Sequence, residues 1–120
     1  MTERGKSYRW GIFKARLGIG SGSEQQGIRP VLVISGEDFN RVMPVVTILP
    51  LASLKPGRKV YPNEVLLPKG LGGLPRPSLV LAHQIRTIAK DRLVGLYGYL
   101  DDADVQGTIQ HALRIHLAME

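Results

Sequence analysis

Residues 22–35 read Gly-Ser-Glu-Gln-Gln-Gly-Ile-Arg-Pro-Val-Leu-Val-Ile-Ser. A polar loop bounded by Gly22 and Gly27 runs straight into one of the most apolar pieces of the chain, and an arginine stands at the join. The run VLVIS (residues 31–35) is short, continuously apolar and largely β-branched, which is the pattern of a buried strand. Pro30 has no amide hydrogen and suits the first position of that strand. A residue before proline is pushed into an extended conformation, so Arg29 is expected at the strand mouth on a stiffened backbone. Gly22 and Gly27 allow the loop to turn tightly and a ligand to come close to the chain. A planar guanidinium gives phosphate two parallel hydrogen bonds. The alternative is that Arg29 ties down the loop by pairing with Glu24 or with a helix end.

Working outward, WGIFKARL (residues 10–17) reads as a first strand, with Lys14 and Arg16 on one face and Phe13, Ala15 and Leu17 on the other. Residues 36–41 turn the chain. MPVVTILPL (residues 43–51) is another strand, whose Pro44 and Pro50 suit strand ends better than a strand middle. Residues 64–67, 78–82 and 93–100 complete the strands, with Gly95 and Gly98 expected at bends or close backbone approaches. The acids Asp101, Asp102 and Asp104 then mark a helix start. Val105, Ile109, Ala112 and Leu113 follow at helical spacing. Closely spaced strands with one terminal helix predict a mainly β fold with α: a small, strongly bent barrel or half-barrel covered by that helix.

A chain of 120 residues with 43% apolar content fits a single domain. Residues 1–7 are expected to fray. With no cysteine, disulfide frameworks and thiolate metal sites are excluded. No run reaches the roughly 18 apolar residues of a membrane span, and the polar first residues lack a signal-peptide core. A cytoplasmic location away from membranes is the expectation. The formal net charge of +6 attracts polyanions, nucleic acid being the commonest.

A second polar cluster, His83-Gln84-Ile85-Arg86-Thr87, follows the strand at 78–82. If the two strand ends are neighbours, both clusters open into one concave site, where an imidazole such as that of His83 can accept and donate protons. His111 and His116 lie five apart on the helix, about 140° around its axis, and make no metal pair. No HExxH, CxxC or carboxylate cluster appears, and neither metal nor cofactor is expected.

The segments GSEQQGIRPVLVIS, VTILPLAS, VLAHQIRTIAKDRL and ALRIHLAM, in that order, resemble the MazF/PemK (Kid-like) family of toxin–antitoxin ribonucleases. The resemblance spans residues 9–119. It implies an SH3-like β-barrel of the Kid/MazF/CcdB type and a homodimer with an RNA groove across its interface. It further implies metal-free cleavage of single-stranded RNA at short motifs, and an antitoxin whose acidic, disordered tail covers the groove. Arg29 matches the family's active-site arginine. Ser23, Glu24 and Gln25 fall on the loop bordering the groove. Gln84 matches a residue expected to face RNA, and Arg86 one with a structural role. Relatives often carry threonine where Ala52 stands, and Ser53 next door keeps a hydroxyl; neighbours on a strand point oppositely, so Ser53 replaces it only across a bulge.

Cleavage requires that the ribose 2′-hydroxyl lose a proton, the phosphate accept charge and the 5′-oxygen leave protonated. Arginine's pKa above about 12 makes it a poor proton carrier, so Arg29 is assigned to the phosphate. His83, and after it Glu24, are the candidate proton carriers, and Ser53 the candidate hydroxyl. Lys55, Arg58 and Lys59 on the basic loop 55–62, with Lys69 and Arg76, are candidates for sequence-independent RNA affinity. Two other readings of the same fold stand beside the nuclease: a non-catalytic toxin-like protein binding a target such as gyrase, and a decayed nuclease that only binds RNA or antitoxin.

Overall fold

The computed structural model describes residues 7–18, 22 and 26–120. Its strands are β1 (Gly11–Arg16), β2 (Ile28–Val33), β3 (Val45–Ser53), β4 (Glu64–Leu67), β5 (Ser78–Leu81), β6 (Arg86–Ala89) and β7 (Leu93–Tyr99). Helix α1 (Glu37–Val42) separates β2 from β3, and α2 (Ala103–Leu117) ends the chain. All pairings are antiparallel, in the order β4-β5-β3-β2-β1-β7, with β6 also on β3. Among the described residues no ladder joins β4 to β7, so the sheet bends without closing.

Strand β3 organises the sheet. One edge pairs with β2 from Ile48 to Pro50; the other pairs with β6 from Val45 to Ile48 and with β5 from Leu51 to Ser53. Pro50 therefore lies inside the strand rather than at its end. Its missing N–H is tolerated because it falls where β3 changes partner along one edge.

Both faces of the central strands are covered. Ile12, Leu32, Leu49 and Leu51 pack toward Ile109 and Ala112 of α2. Phe13, Val31, Val33, Val46 and Ile48 form a second cluster with Ile88. Burial on both sides is why VLV reads as an unbroken apolar run. Each large side chain taken from water here contributes about 1.5–3 kcal/mol. Helix α2 starts where the acids predict: the Asp102 carboxylate accepts from the Asp104 and Val105 amides at 2.8 and 3.2 Å.

Three expectations change. The turn at 36–41 contains α1, held by tertiary bonds: the buried Asn40 amide donates to the Ser35 carbonyl at 2.9 Å, and Lys90 Nζ donates to the Asn40 carbonyl at 2.7 Å. The segment after His83 contains β6. Ser7, placed in the expected frayed start, is tied down: its carbonyl accepts from the Tyr99 hydroxyl at 2.7 Å, while Glu37 accepts from the Tyr8 and Arg9 amides; residues 1–6 lie outside the described residues.

Gly98 is a close backbone approach, as expected. The loop at Leu71–Gly73 lies directly on β7, so that a Cβ at Gly98 would sit 2.7 Å from the Gly72 carbonyl oxygen. A Cβ at Gly73 would sit 2.2 Å from the Tyr97 carbonyl oxygen, and Gly73 has φ +79°. Gly73→Ala therefore sets backbone against backbone at a left-handed residue. It is expected to cost roughly 3 kcal/mol, read as a lowered midpoint in urea unfolding.

Candidate functional site

The site begins with a missing hydrogen. The Ile34 amide donates to the Thr47 carbonyl at 3.0 Å. In an antiparallel pair such bonded partners recur at every second residue. Leu32 and Leu49 form the next bonded pair, and Pro30 and Leu51 would form the one after. Pro30 has no N–H to give, and the ladder ends at Val31↔Pro50. Beyond that point the strands splay. Ile28, Arg29 and Pro30 stay with β1, while Leu51, Ala52 and Ser53 go to β5.

The splay leaves a cleft of about 200 Å³. Ile28, Arg29 and Pro30 border it from β2, and Leu51 and Ser53 from β3. Ser78, the loop residues Leu74, Pro75 and Arg76, and Tyr97 complete the wall. The Arg29 side chain is exposed, and its Nε donates to the Gln26 carbonyl at 3.1 Å. That bond anchors the head of the side chain to the loop beside it. Among the described residues no carboxylate pairs with Arg29.

The loop itself closes at its base, where Gly27 N–H donates to the Gly18 carbonyl at 2.7 Å and Leu17 N–H to the Gly27 carbonyl at 2.8 Å. Gly18 and Gly27 have φ +76° and +74°, which favours glycine at both ends. Ser23, Glu24 and Gln25 lie outside the described residues.

No bulge interrupts β3 here: Leu51, Ala52 and Ser53 pair in order with Val80, Leu79 and Ser78. Ser53 and Ala52 thus present opposite faces, and only Ser53 borders the cleft. Continuing the β2–β3 register by two residues puts Ala52 across from Arg29.

His83 stands elsewhere. Ser78 at the cleft and Leu81 are the two ends of β5, roughly 10 Å apart at strand rise, and His83 lies past the far end. There Glu64, opposite Leu81 in the β4–β5 ladder, is 6% exposed. Arg58 grips its carboxylate with both Nη atoms, at 3.1 and 2.7 Å. The Tyr61 amide donates at 3.0 Å, and His83 Nε2 lies 2.9 Å away. A carboxylate only accepts, so the His83 proton sits on Nε2. Burial would raise the Glu64 carboxyl, but the bonds from Arg58, Tyr61 and His83 outweigh it and hold the pKa at about 2.

The structure therefore brings Arg29 and Ser53 together and sets His83 and Arg58 apart in a network of their own. Gln84 and Arg86 share a separate depression with His83; Arg86 is the first residue of β6, opposite Ile48. Lys55 and Lys59 are exposed on the basic loop, Lys59 Nζ lying 5.2 Å from the centre of the Tyr61 ring. His116 meets His83 edge-on at 6.3 Å, whereas His111 is exposed. Ser78 and Tyr97 at the cleft, and Glu64 in the network, carry no mark in the sequence; each is set by pairing between distant strands.

At the splay of this small bent β-sheet the exposed Arg29 guanidinium can give an anion charge-assisted hydrogen bonds. The chain belongs to the PemK-like, MazF-like toxins of type II toxin–antitoxin systems, matching that family over residues 8–117. It is 36% identical over 108 residues to endoribonuclease EndoA of Bacillus subtilis (strain 168), covering 90% of this chain and 91% of that protein. The crystal structure of MazF (Form-I) from Deinococcus radiodurans superposes with a TM-score of 0.75 at 29% identity, covering 92% of this chain and 96% of that one. MazE–MazF (Form-II) from the same organism gives 0.69 at 30% identity, covering 92% and 95%.

The Glu64 network makes a pH prediction. A carboxyl held at about 2 instead of the ordinary 4.5 adds stability above the ordinary value, and that stability is lost as pH falls through the lower one. Glu64→Gln is expected to cost roughly 3 kcal/mol at pH 7. The gap between the two proteins' urea midpoints should shrink from pH 5 to pH 2; a gap independent of pH would contradict the assignment.

Proposed function

We propose that this protein is the toxin of a toxin–antitoxin pair and cuts single-stranded RNA at a short sequence motif, using the substrate's own 2′-hydroxyl as nucleophile. The observation that carries the reading is Arg29, an exposed guanidinium fixed at the splay of β2 and β3 beside a cleft of about 200 Å³, in a chain with endoribonuclease relatives.

In the reaction the 2′-oxygen bonds to phosphorus and the bond from phosphorus to the 5′-oxygen breaks. The products are a 2′,3′-cyclic phosphate and a 5′-hydroxyl. Negative charge grows on the non-bridging oxygens, where donors already in place are worth most. Arg29 supplies that stabilisation, and Ser53 adds a hydroxyl from the opposite wall. Because the nucleophile belongs to the substrate and the charge is met by a guanidinium, no metal is required.

His83 lies past the far end of β5 with its Nε2 proton directed to Glu64, so in this reading the 2′-proton goes to Glu24, whose loop supplies the Gln26 carbonyl that holds Arg29, and the leaving 5′-oxygen takes its proton from water. Gln84, Lys55 and Lys59 then act as outlying RNA contacts. Arg58 contributes chiefly through Glu64, since both of its Nη atoms are engaged there.

The partners in this reading are messenger RNA, a second copy of the chain that completes the groove, and an antitoxin with an acidic, disordered tail. No helix among the described residues is long and apolar enough to cross a membrane. The reading puts the protein in the cytoplasm with its substrate.

Incubation with a long single-stranded RNA in EDTA, with mapping of both new ends, tests the reading. Cutting at a short recurring motif with cyclic phosphate ends is expected. A single 2′-deoxy substitution at the cut ribose should abolish it. Arg29→Ala should slow cleavage by about 10²–10³-fold with an unchanged unfolding midpoint, and Glu24→Gln by about 10²–10⁴-fold. Cutting that persists at a deoxyribose, or an Arg29→Ala protein as fast as wild type, would sink the mechanism.

A further inference from the structure

The cleft has a second cation that the reaction as derived leaves unused. Arg76 borders the same space as Arg29 but comes from the other side, on the loop before β5. Its backbone is unusually constrained. Pro75 and Pro77 flank it, and a residue before proline is held extended. The Ser78 hydroxyl, itself only 3% exposed, donates to the Arg76 carbonyl at 3.1 Å. Just upstream, Gly72 and Gly73 lie backbone to backbone on Tyr97 and Gly98. A loop fixed at both ends holds the origin of this side chain still. Its head is exposed, and among the described residues no carboxylate pairs with it. Arg58 shows the contrast, being spent on Glu64.

Two guanidiniums facing one narrow cleft repel each other unless an anion lies between or beside them. Ser53 and Ser78 stand opposite each other in the β3–β5 ladder at the base of that cleft, and the remaining wall, from Ile28, Leu51, Leu74 and Tyr97, carries no charge.

We propose that Arg76 is an RNA-binding residue that grips the phosphate next to the scissile one, so that the cleft holds one nucleotide by the phosphates on its two sides. This inference rests on the nuclease reading. Phosphate is favoured over the carboxylates of an acidic peptide because consecutive phosphodiesters on one strand match two cations held on separate walls, and because Arg29 already serves the scissile phosphate.

The test uses the full chain and a short RNA bearing its cut motif, with a 2′-deoxy ribose at the cut so that binding is measured without cleavage. Arg76→Ala should weaken binding on the order of tenfold and flatten the slope of log affinity against log salt by about 0.7, the value for one contact to a single strand. Arg76→Lys should keep the slope and recover part of the affinity. In cleavage, Arg76→Ala should raise KM and leave kcat nearly unchanged. Neutral methylphosphonate linkages are then placed one at a time. Wild type should lose affinity at the linkage adjoining the scissile one, and Arg76→Ala should lose nothing further there. If Arg76→Ala binds and cuts like wild type, or loses affinity at every linkage as wild type does, Arg76 grips no particular phosphate and the proposal fails alone. An Arg76→Ala protein that keeps its RNA affinity and loses only affinity for an acidic peptide would assign the residue to that peptide instead. If wild type neither binds nor cuts the RNA, the nuclease reading fails and takes this proposal with it.

Discussion

The absent amide hydrogen of Pro30 is the constraint on which the site depends. Counted from the Ile34–Thr47 bond, Pro30 falls where the β2–β3 ladder next requires a donor. An N–H there would let β2 and β3 zip on toward Ser53 and close the space between them. With the donor missing, each strand keeps only the partner on its far edge: β2 stays on β1, and the last residues of β3 stay on β5. The same proline holds Arg29 extended at the mouth of the opening. One imino acid thus both opens the cleft and orients the guanidinium beside it.

Arginines in this chain divide by what holds them. Arg58 is locked to a buried carboxylate whose other contacts are the Tyr61 amide and His83. Removing a charge from such a network strands its partner in a poorly solvated place, so this set serves stability. Arg29 is held instead by the Gln26 carbonyl, which accepts from its Nε, and Arg76 through its backbone, whose carbonyl accepts from the Ser78 hydroxyl; neither contact neutralises the guanidinium. A backbone carbonyl holds a guanidinium in place and leaves its charge available to an anion. Net charge alone does not separate the two kinds.

Much of the fold was legible because its signals are local. The run VLV announces burial on both faces, and Asp102 with Ile109 and Ala112 announces a capped helix lying on the sheet. The parts that were not legible depend on distant pairing. Helix α1 has no side-chain cap and stands on bonds from Asn40 and Lys90. Strand β6 is four residues long, with Ile88 alone fully buried, and exists because β3 offers it an edge. At the site, Arg29 was legible through Pro30. The separation of His83 from it was not, since only the β4–β5 register, which sets Glu64 opposite Leu81, reveals the carboxylate that claims the imidazole.

The hydroxyls at the cleft follow from the same geometry. The pleat sends Ala52 toward the face that Arg29 shares with Val31 and Val33, and sends Ser53 the other way with Leu51. With no bulge to rotate Ser53, it does not stand in for a side chain at Ala52; it meets the opening from the opposite face, beside Ser78. On the proposed reading, a phosphate at Arg29 has no hydroxyl directly across the strand gap and receives one only from Ser53 on the opposite wall. Arg76 borders the cleft from that wall, and on the same reading it takes the adjoining phosphate. Charge on two sides of a narrow opening holds the strand by two consecutive phosphates more firmly than added hydroxyls would, because a charge-assisted hydrogen bond is roughly twice as strong as a neutral one.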